Sequence, residues 1–403
     1  MPQPTLNAVF RGNVYIPRLV VSRSTPGTRV NALGLIEEVP AYAPRIDHDP
    51  LTGECRGLLI EEQRTNALLH SSGFDESAWS KNRCAVSGTT TGPDGVPDSG
   101  QKLIENDTTA THYPAQLATV TAGNIYTLSV FIKAAERSMI RVTLPSTTFG
   151  SCAATFDALT GQTYMADNSK GTNGDAFHGI KYYGNGWYRC YVTGVATADG
   201  TQNMSLTMIY PNLTSSATYT GDGASGIYLF GAQFEQGYLT SYTPTAASAV
   251  TRAADSVYIS TADFSYKSVE GTLYIDGDAN ITSTAIIGGL GVSGVSAQSI
   301  YSQIDPDGVI SMQIPNYVAL DYGVGYTTGM RFRAAISYAE NSAIACYNGG
   351  ALHTDTSCAI PSISRLMLGS KPWAAGNYIN GHIRHVQYYP RALTGAELQS
   401  LTR

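Results

Sequence analysis

Apolar and polar residues alternate with a period of two along most of this 403-residue chain. In one clear example the apolar positions are Tyr126, Leu128, Val130 and Ile132, and the positions between them are mostly polar. The same alternation recurs over residues 140–144, 273–275 and 332–338. Because successive side chains of a strand point to opposite faces, this period predicts half-buried β-strands rather than helices.

Turn-forming residues separate these stretches at short spacing. The main turn signals are Asp49–Gly53, Gly184–Gly186, Asp305–Gly308 and Asn348–Gly350. Proline and glycine supply the backbone angles that tight turns require, so each signal predicts a hairpin. Many short strands joined in this way predict an all-β fold with two tandem β-sandwich domains, of the jelly-roll and concanavalin A-like kinds.

Changes in the pattern divide the chain. Residues 1–66 show little globular pattern and are predicted to form an extended N-terminal attachment arm. Sandwiches are predicted at residues 67–246 and 256–403, and the small, polar stretch 247–255 has the composition of a linker. The length of the chain also exceeds the roughly 100–200 residues of a single core.

One helix is clearly signalled, at the C-terminus. Thr394 is a good N-cap and Glu397 follows three residues later, which makes a capping box. Leu393 and Leu398 occupy the positions of a hydrophobic staple. The short helix is predicted to pack Leu398 and Leu401 against the preceding strand.

Composition excludes some function classes. Only 14% of the residues are charged, the net charge is -6, and no run of Lys or Arg could follow a phosphate backbone. Nucleic acid is therefore not an expected partner. The N-terminus lacks a basic start with an apolar core, and no window of about 18 apolar residues occurs. We therefore expect a soluble product that neither inserts into membranes nor follows a classical secretion route.

The six cysteines are too few and too scattered for a disulfide framework, and no CxxC pair suggests zinc. Most are predicted to be buried free thiols. Cys346 and Cys358 flank a short loop and are the one pair predicted as a possible bridge.

Several segments resemble known families. Residues 381–401, GHIRHVQYYPRALTGAELQSL, resemble the end of a concanavalin A-like or laminin-G-like lectin domain. The stretches YTLSVFIKAAE, GNGWYRCYVTG and IYLFGAQFEQGYLTSYTPT resemble a jelly-roll carbohydrate-binding module. Residues 44–75 resemble the entry segment of tailed-bacteriophage virion proteins, including tail fibres and head-decorating fibres.

The resemblance implies a receptor-binding or tail-fibre protein of a phage virion, made in the host cytoplasm. Such a protein would join other virion proteins through its N-terminal arm, form a homo-oligomer such as a trimer, and bind bacterial surface glycan. A capsid- or tail-decorating structural protein without glycan specificity is the alternative, because tyrosine enrichment with few charges is also typical of protein interfaces.

Glycan binding relies on aromatic faces that stack on sugar rings. Aromatic residues in or beside turn-rich stretches are therefore the candidate binding residues, whereas Trp187 belongs to the strand framework. The candidates are Tyr113, Tyr210, Tyr219, Tyr322, Tyr326 and Trp373.

A glycoside hydrolase is the second alternative, but no enzyme is expected because no catalytic spacing is found. Retaining hydrolysis needs two carboxyl groups about 5–5.5 Å apart, and the adjacent acids Glu37–Glu38 and Glu61–Glu62 point to opposite faces of a strand. No GxSxG or HExxH motif occurs, and His382 and His385 are interpreted as ordinary strand residues. Acids brought together only by folding are left open.

No cofactor is expected, with calcium as an open alternative. Asp276, Asp278 and Asn280 alternate in a glycine-containing stretch, where their oxygens could bind calcium. Turn chemistry is the default interpretation of the same residues.

Overall fold

The computed structural model describes residues 3–11, 18–150, 152–168, 177–210, 217–281, 283–314 and 318–403. The chain is 52% strand and 4% helical, far below the roughly one-third helix of an average protein. The predicted all-β class with β-sandwich domains is confirmed.

Seven strands precede the first sandwich: β1 (Leu6–Val9), β2 (Leu19–Val21), β3 (Gly27–Val30), β4 (Ile36–Val39), β5 (Ile46–His48), β6 (Cys55–Ile60) and β7 (Arg64–Asn66). The next segment contains β8 (Ser80–Asn82), β9 (Cys84–Thr90), β10 (Gly100–Glu105), β11 (Thr109–Ala110), β12 (Tyr113–Val120), β13 (Ile125–Lys133), β14 (Met139–Leu144), α1 (Ser146–Phe149), β15 (Cys152–Asp157), β16 (Gln162–Asn168), β17 (Phe177–Tyr182), β18 (Trp187–Val195), β19 (Gly200–Ile209), β20 (Tyr219–Thr220) and β21 (Gly226–Gln236).

The last segment contains β22 (Val250–Arg252), β23 (Val257–Ser260), a 3₁₀ turn (Thr261–Asp263), β24 (Glu270–Asp278), β25 (Ala285–Val292), β26 (Val295–Ile304), β27 (Val309–Ile314), β28 (Val318–Gly325), β29 (Arg331–Ala339), β30 (Ser342–Tyr347), β31 (Leu352–Asp355), β32 (Arg365–Leu368), β33 (Gly381–Tyr389) and α2 (Gly395–Thr402).

The first sandwich has two six-stranded sheets, in the orders β17-β18-β13-β21-β10-β9 and β16-β15-β14-β19-β12-β8. One apolar cluster fills the space between them and runs in sequence from Leu68 to Phe234. All four predicted apolar positions of β13 face this cluster. The polar positions Thr127 and Ser129 are also buried, because the chain after β21 covers the other face of the sheet.

The second sandwich also has two sheets. One has the order β31-β30-β29-β24-β33-β6-β5, with β1 added to β33, and the other has the order β2-β23-β32-β25-β26-β27-β28. Strands from the N-terminal segment therefore complete both sheets of a domain that is otherwise built from the C-terminal third of the chain.

This placement differs from the extended arm predicted for residues 1–66. Leu6 pairs with Tyr388, Leu19 pairs with Ile259, and Ile60 pairs with Gly381. The apolar side chains of these strands join the core of the second sandwich, where Leu6, Phe10, Val21, Leu58 and Ile60 are buried. The first sandwich is thus inserted between β6 and β23, and the attachment role of residues 1–66 stays a prediction.

The short-range predictions agree with the structure. The predicted turns join β5 to β6, β17 to β18, β26 to β27 and β30 to β31. The C-terminal helix has both capping-box hydrogen bonds between Thr394 and Glu397. Leu393 and Leu398 are buried together against β24, β29, β30 and β33, with Leu401 partly buried beside them.

All six cysteines are free thiols. Cys346 and Cys358 are both buried and are not bridged, so the possible bridge between them is not formed. Burial raises the pKa of the Cys358 thiol to about 11, which leaves it protonated and unreactive at neutral pH.

The junction of the two sandwiches is a buried ionic network. The predicted linker is structured here, because β22 pairs with β7 and Asp255 lies in the network. Asp255 binds Arg45 and accepts a hydrogen bond from Arg23 Nε at 3.1 Å. Glu61 accepts hydrogen bonds from Arg45 Nη2 at 2.8 Å and from the backbone N–H and hydroxyl of Ser241.

Arg252 completes the network, 3.4 Å from Glu61 and 3.7 Å from Asp255. The side chains of these three arginines and two acids are at most 7% exposed. Burial by itself raises the pKa of Glu61, but the charges of Arg252 and Arg45 outweigh that effect and hold it well below its usual range. The network therefore stays ionised and ties residues 23–61, the end of the first sandwich and the connector together.

The first prediction concerns the N-terminal strands. A chain of residues 67–403 should lose the native second sandwich, because it lacks β1, β2, β5 and β6 and their core side chains. Near-UV circular dichroism and limited proteolysis should show one folded sandwich, whereas a chain of residues 5–403, which keeps β1, should be native. A native second sandwich in the 67–403 chain would contradict the pairing described here.

The second prediction concerns the network. Glu61→Gln should lower the free energy of unfolding by about 3 kcal/mol, because it leaves buried guanidiniums uncompensated. Denaturant unfolding measures this loss. The matched control is Glu136→Gln, which breaks a pair in which the carboxylate is 53% exposed and should cost less than about 1 kcal/mol. If both variants lost the same free energy of unfolding, the buried network would not stabilise the fold more than an exposed ion pair does.

Candidate functional site

Trp373 lies half-exposed on the outer face of the second sandwich's β23-β32-β25-β26 region. Its ring contacts the ring of Tyr301 in a T-shaped arrangement, with 5.0 Å between centroids. Lys371 places its Nζ 6.0 Å from the Trp373 centroid, and Gln313 lies directly across from Tyr301 on β27. We call these four residues the Trp373 surface.

The loop that carries Trp373 is fixed by the sheet beneath it. Arg365 donates two hydrogen bonds to the Pro372 carbonyl, at 2.9 and 2.6 Å, and Gly294 N–H donates to the Trp373 carbonyl at 2.7 Å. Glycines in β25 provide the room: a Cβ on Gly291 would lie 2.9 Å from Pro372, and one on Gly289 would lie 2.3 Å from Tyr301. The aromatic pair is therefore held in place before any ligand arrives.

Tyr301 was not among the sequence candidates. Its neighbours Ile300 and Ile304 are core residues, so the alternation of β26 places Tyr301 on the opposite, outer face. A tyrosine on the polar side of an alternating strand was the available signal.

The candidates of the first sandwich have different surroundings. Tyr219 is 7% exposed and its hydroxyl donates to Glu105 at 2.5 Å, so it is a packing residue and not a stacking face. Tyr210 is 43% exposed and lies against Tyr219, with the Arg137 guanidinium 4.9 Å from its ring centre. Tyr113 is half-buried at the start of β12, opposite Asn82.

The remaining candidates of the second sandwich are not brought to the Trp373 surface. Tyr326 is 5% exposed, and its hydroxyl accepts from Ala279 N–H at 2.8 Å and donates to the Met330 carbonyl. It therefore packs, in contrast to its predicted role. Tyr322 lies in β28, and its side chain is outside the described part of the structure.

A second feature is a cleft of about 150 Å³ between the two sandwiches. The N-terminal segment supplies Arg29 and Arg56, the first sandwich supplies Lys181 and Arg189, and the second supplies His382. Lys181 and the lining residue Asn280 are exposed, so the cleft opens to solvent. Sequence reasoning missed this feature because its residues come from stretches that lie far apart in the chain, from Thr28 to His382.

His382 forms one wall of the cleft and lies between two carboxylates. Its Nε2 is 3.0 Å from Asp47 and its Nδ1 is 2.8 Å from Asp278. Both ring nitrogens must donate to satisfy two carboxylates, which requires the imidazolium form. Burial lowers the His382 pKa, but the hydrogen bonds and charges of Asp278 and Asp47 outweigh it and raise the pKa to about 9.

The acids considered for calcium are occupied by protein donors. Asp276 binds Arg331 Nε at 2.7 Å, Asp278 binds His382 and Arg384, and the Asn280 amide donates to the Asn380 carbonyl. In the described residues, no group of three or more His, Cys, Asp or Glu side chains has an arrangement that could hold a metal ion.

Comparisons with known proteins give matches by structure alone. No family model and no curated protein matches the sequence. The Ruminococcus gnavus IT-sialidase CBM40 bound to α2,3-sialyllactose is 17% identical, and the match covers 34% of this chain and 84% of that one with a TM-score of 0.31. A heptameric SAP-like pentraxin from Limulus polyphemus is 13% identical over 33% of this chain and 70% of that one, with a TM-score of 0.28.

A longer match is the Trypanosoma rangeli sialidase in complex with the inhibitor DANA, 9% identical over 80% of this chain and 62% of that one, with a TM-score of 0.32. The expectation that this chain is not an enzyme is therefore corrected: a sialidase is an enzyme, so missing sequence motifs did not separate this chain from that class. At TM-scores this low, the likenesses assign neither a ligand nor an activity to it.

Two expectations concern membrane insertion and the phage particle. No helix among the described residues is long and apolar enough to cross a bilayer. The matches named here give no evidence for a virion, so that setting stays a prediction.

The third prediction follows from His382. Its contribution to stability should be fully present below pH 6.5, the ordinary pKa of a histidine, because the folded and unfolded chains then both hold the proton. Between pH 6.5 and about 9 only the folded chain holds it, so the contribution should fall with a slope of up to about 1.4 kcal/mol per pH unit.

Urea unfolding gives the free energy of unfolding of the protein and of His382→Gln at several pH values from 5 to 9.5. The difference between the two free energies is the contribution of His382. The difference should be constant at the acid end and shrink above pH 6.5. A difference that stays constant up to pH 9.5 would show that His382 is not held as an imidazolium.

Proposed function

We propose that this protein binds a carbohydrate through the Trp373 surface. The observation that carries the proposal is the partly exposed pair of Trp373, on a loop that three hydrogen bonds fix in place, and Tyr301, on β26. Aromatic faces bury the C–H face of a sugar ring, while amide and ammonium groups bind its hydroxyls. Lys371 supplies an ammonium beside the Trp373 ring, and Gln313, whose amide donates to Ser311 at 3.3 Å, lies across from Tyr301 on the next strand.

Pre-organisation supports this function. A side chain that already lies in its bound position loses little conformational entropy when the ligand arrives. Trp373 also contributes little to the core, in contrast to Trp79 and Trp187, which are 2% and 0% exposed. Its exposed area is therefore available to a ligand.

The finer setting is part of the same proposal. From the resemblance to tailed-phage virion proteins, we propose that this is a surface protein of a phage particle, that it is present as a homo-oligomer, and that its ligand is a bacterial surface glycan. A single shallow aromatic site binds weakly, and several copies on one particle raise avidity by as much as ~10²- to 10⁴-fold. A decorating protein without glycan specificity and a glycoside hydrolase are the alternatives that the experiment separates.

The fourth prediction tests the Trp373 surface. Trp373→Ala and Tyr301→Ala should each weaken binding to the best ligand of a glycan array by roughly tenfold, the equivalent of about 1.4 kcal/mol, because each removes a stacking face. The matched control is Tyr164→Ala, which removes a 53% exposed aromatic from the first sandwich and should change nothing. Thermal unfolding of every variant shows that the fold is kept.

Fluorescence locates the ligand independently. The chain has three tryptophans and two of them are buried, so acrylamide should quench mainly Trp373. A carbohydrate bound at the Trp373 surface should protect against quenching, and this protection should disappear in Trp373→Phe. Array ligands that bind Trp373→Ala as tightly as the unmodified protein would overturn the assignment. Release of reducing ends from a bound polysaccharide would identify a hydrolase, and a blank array would favour the decorating protein.

A further inference from the structure

We infer that the cleft between the two sandwiches is a binding site for an oxyanion, with the carboxylate of an acidic saccharide as its favoured source. The inference does not use the Trp373 surface. Three cations that line the cleft form no ion pair in the described chain, buried guanidinium donors beside them are unpaired, and the space is large enough for a ligand.

The charges that line the cleft do not balance. Asp47 is paired with His382, and Glu61 is paired with Arg45 and Arg252 outside the lining. Arg29 is paired with Glu37. The remaining lining cations are Arg56, Lys181 and Arg189.

None of these three cations forms an ion pair in the described parts of the chain, although the charges of Arg56 and Lys181 help to lower the pKa of Asp49 and that of Arg189 acts on Glu235. Arg56 on β6 and Lys181 on β17 form no ion pair there, and Lys181 only places its Nζ 5.4 Å from the ring centre of Tyr183. Arg189 donates to the Thr240 carbonyl and to Ser129. The nearby Glu235 is engaged by Thr240 and Gln233 and lies 3.8 Å from Arg64.

Buried donors in the cleft are also left unpaired. Arg189 is 3% exposed, and its Nε has no hydrogen-bond partner in the part of the chain that the structure describes. The Nε of Arg29, which lines the same cleft, is also buried without a partner. Arg64, Arg252 and Arg384 also have a buried Nε without a partner in the described residues, but they do not line the cleft. Each unpaired buried donor costs about 1–3 kcal/mol, and an anion in the cleft satisfies several guanidinium donors at once.

The cleft has room for such a ligand. Its volume of about 150 Å³ compares with the roughly 10–15 Å³ that one ordered water requires. Asn280 lines the same space and its side-chain oxygen can bind a hydroxyl group, whereas the Asn380 and Ser241 side chains are hydrogen-bonded to Glu62 and Glu61. A carboxylate attached to a polyhydroxylated ring fits this combination of cations and the Asn280 amide.

The site exists only when both sandwiches are joined. Arg56 belongs to a sheet of the second sandwich, whereas Lys181 and Arg189 belong to a sheet of the first. A bound anion would therefore contact both domains, and its binding should stabilise the junction against unfolding.

The fifth prediction tests the site by calorimetry on the full chain at constant ionic strength. The probes are methyl β-D-glucuronide, the neutral methyl β-D-glucoside and inorganic phosphate. The glucuronide should bind and the glucoside should not. Arg56→Gln and Lys181→Gln should each weaken binding of the glucuronide about tenfold, because each removes a charge-assisted hydrogen bond.

The matched control is Arg403→Gln, which makes the same change in charge at the exposed C-terminus and should leave binding unchanged. Trp373→Ala should also leave it unchanged, so failure of the cleft and failure of the Trp373 surface are distinguishable. Binding of phosphate alone, weakened by the same two variants, would retain the oxyanion site and discard the saccharide source. No binding of either anion, or binding unaffected by Arg56→Gln and Lys181→Gln, would overturn the inference.

Discussion

Charges that water does not reach determine how the segments of this chain fit together. Asp255 in the connector binds Arg23 and Arg45 of the N-terminal segment. Glu61 binds Arg45 and also Ser241, which follows the last strand of the first sandwich. A buried ion that loses its partner costs several kcal/mol, so these segments are stable only when they come together. Ionic pairing thereby fixes the domain arrangement, while apolar packing fixes each sandwich.

The network explains where the cleft lies. The first sandwich is inserted between β6 and β23, and the short β7-β22 ribbon holds its two ends side by side. Next to that ribbon, the hairpin of β3 and β4 covers the outer face of β13 and β18, and Ile36 packs among Phe131, Trp187, Phe230 and Tyr242. The cleft is the gap left between this apolar contact and the wall formed by His382.

Local features were predictable from the sequence, and long-range ones were not. Period-two alternation, turn residues and the Thr394 capping box act over a few residues and were interpreted correctly. Strands such as β1, β2 and β5 have only three or four residues, too few to show an alternation, and Leu6 pairs with Tyr388 near the other end of the chain. Tyr219 and Tyr326 occur beside turns, as binding residues often do, but their hydroxyls find buried partners that no sequence pattern reveals.

Positive charge is concentrated at the junction of the two sandwiches. The chain as a whole carries a net charge of -6, yet its junction gathers Arg23, Arg45 and Arg252 around two carboxylates and adds Arg56, Lys181 and Arg189 in the adjoining cleft. Like charges held close together repel one another, and most strongly where they are buried, as Arg23, Arg45, Arg189 and Arg252 are. An acidic chain tolerates such a concentration at a cost in stability, and an anion bound in the cleft would offset that cost.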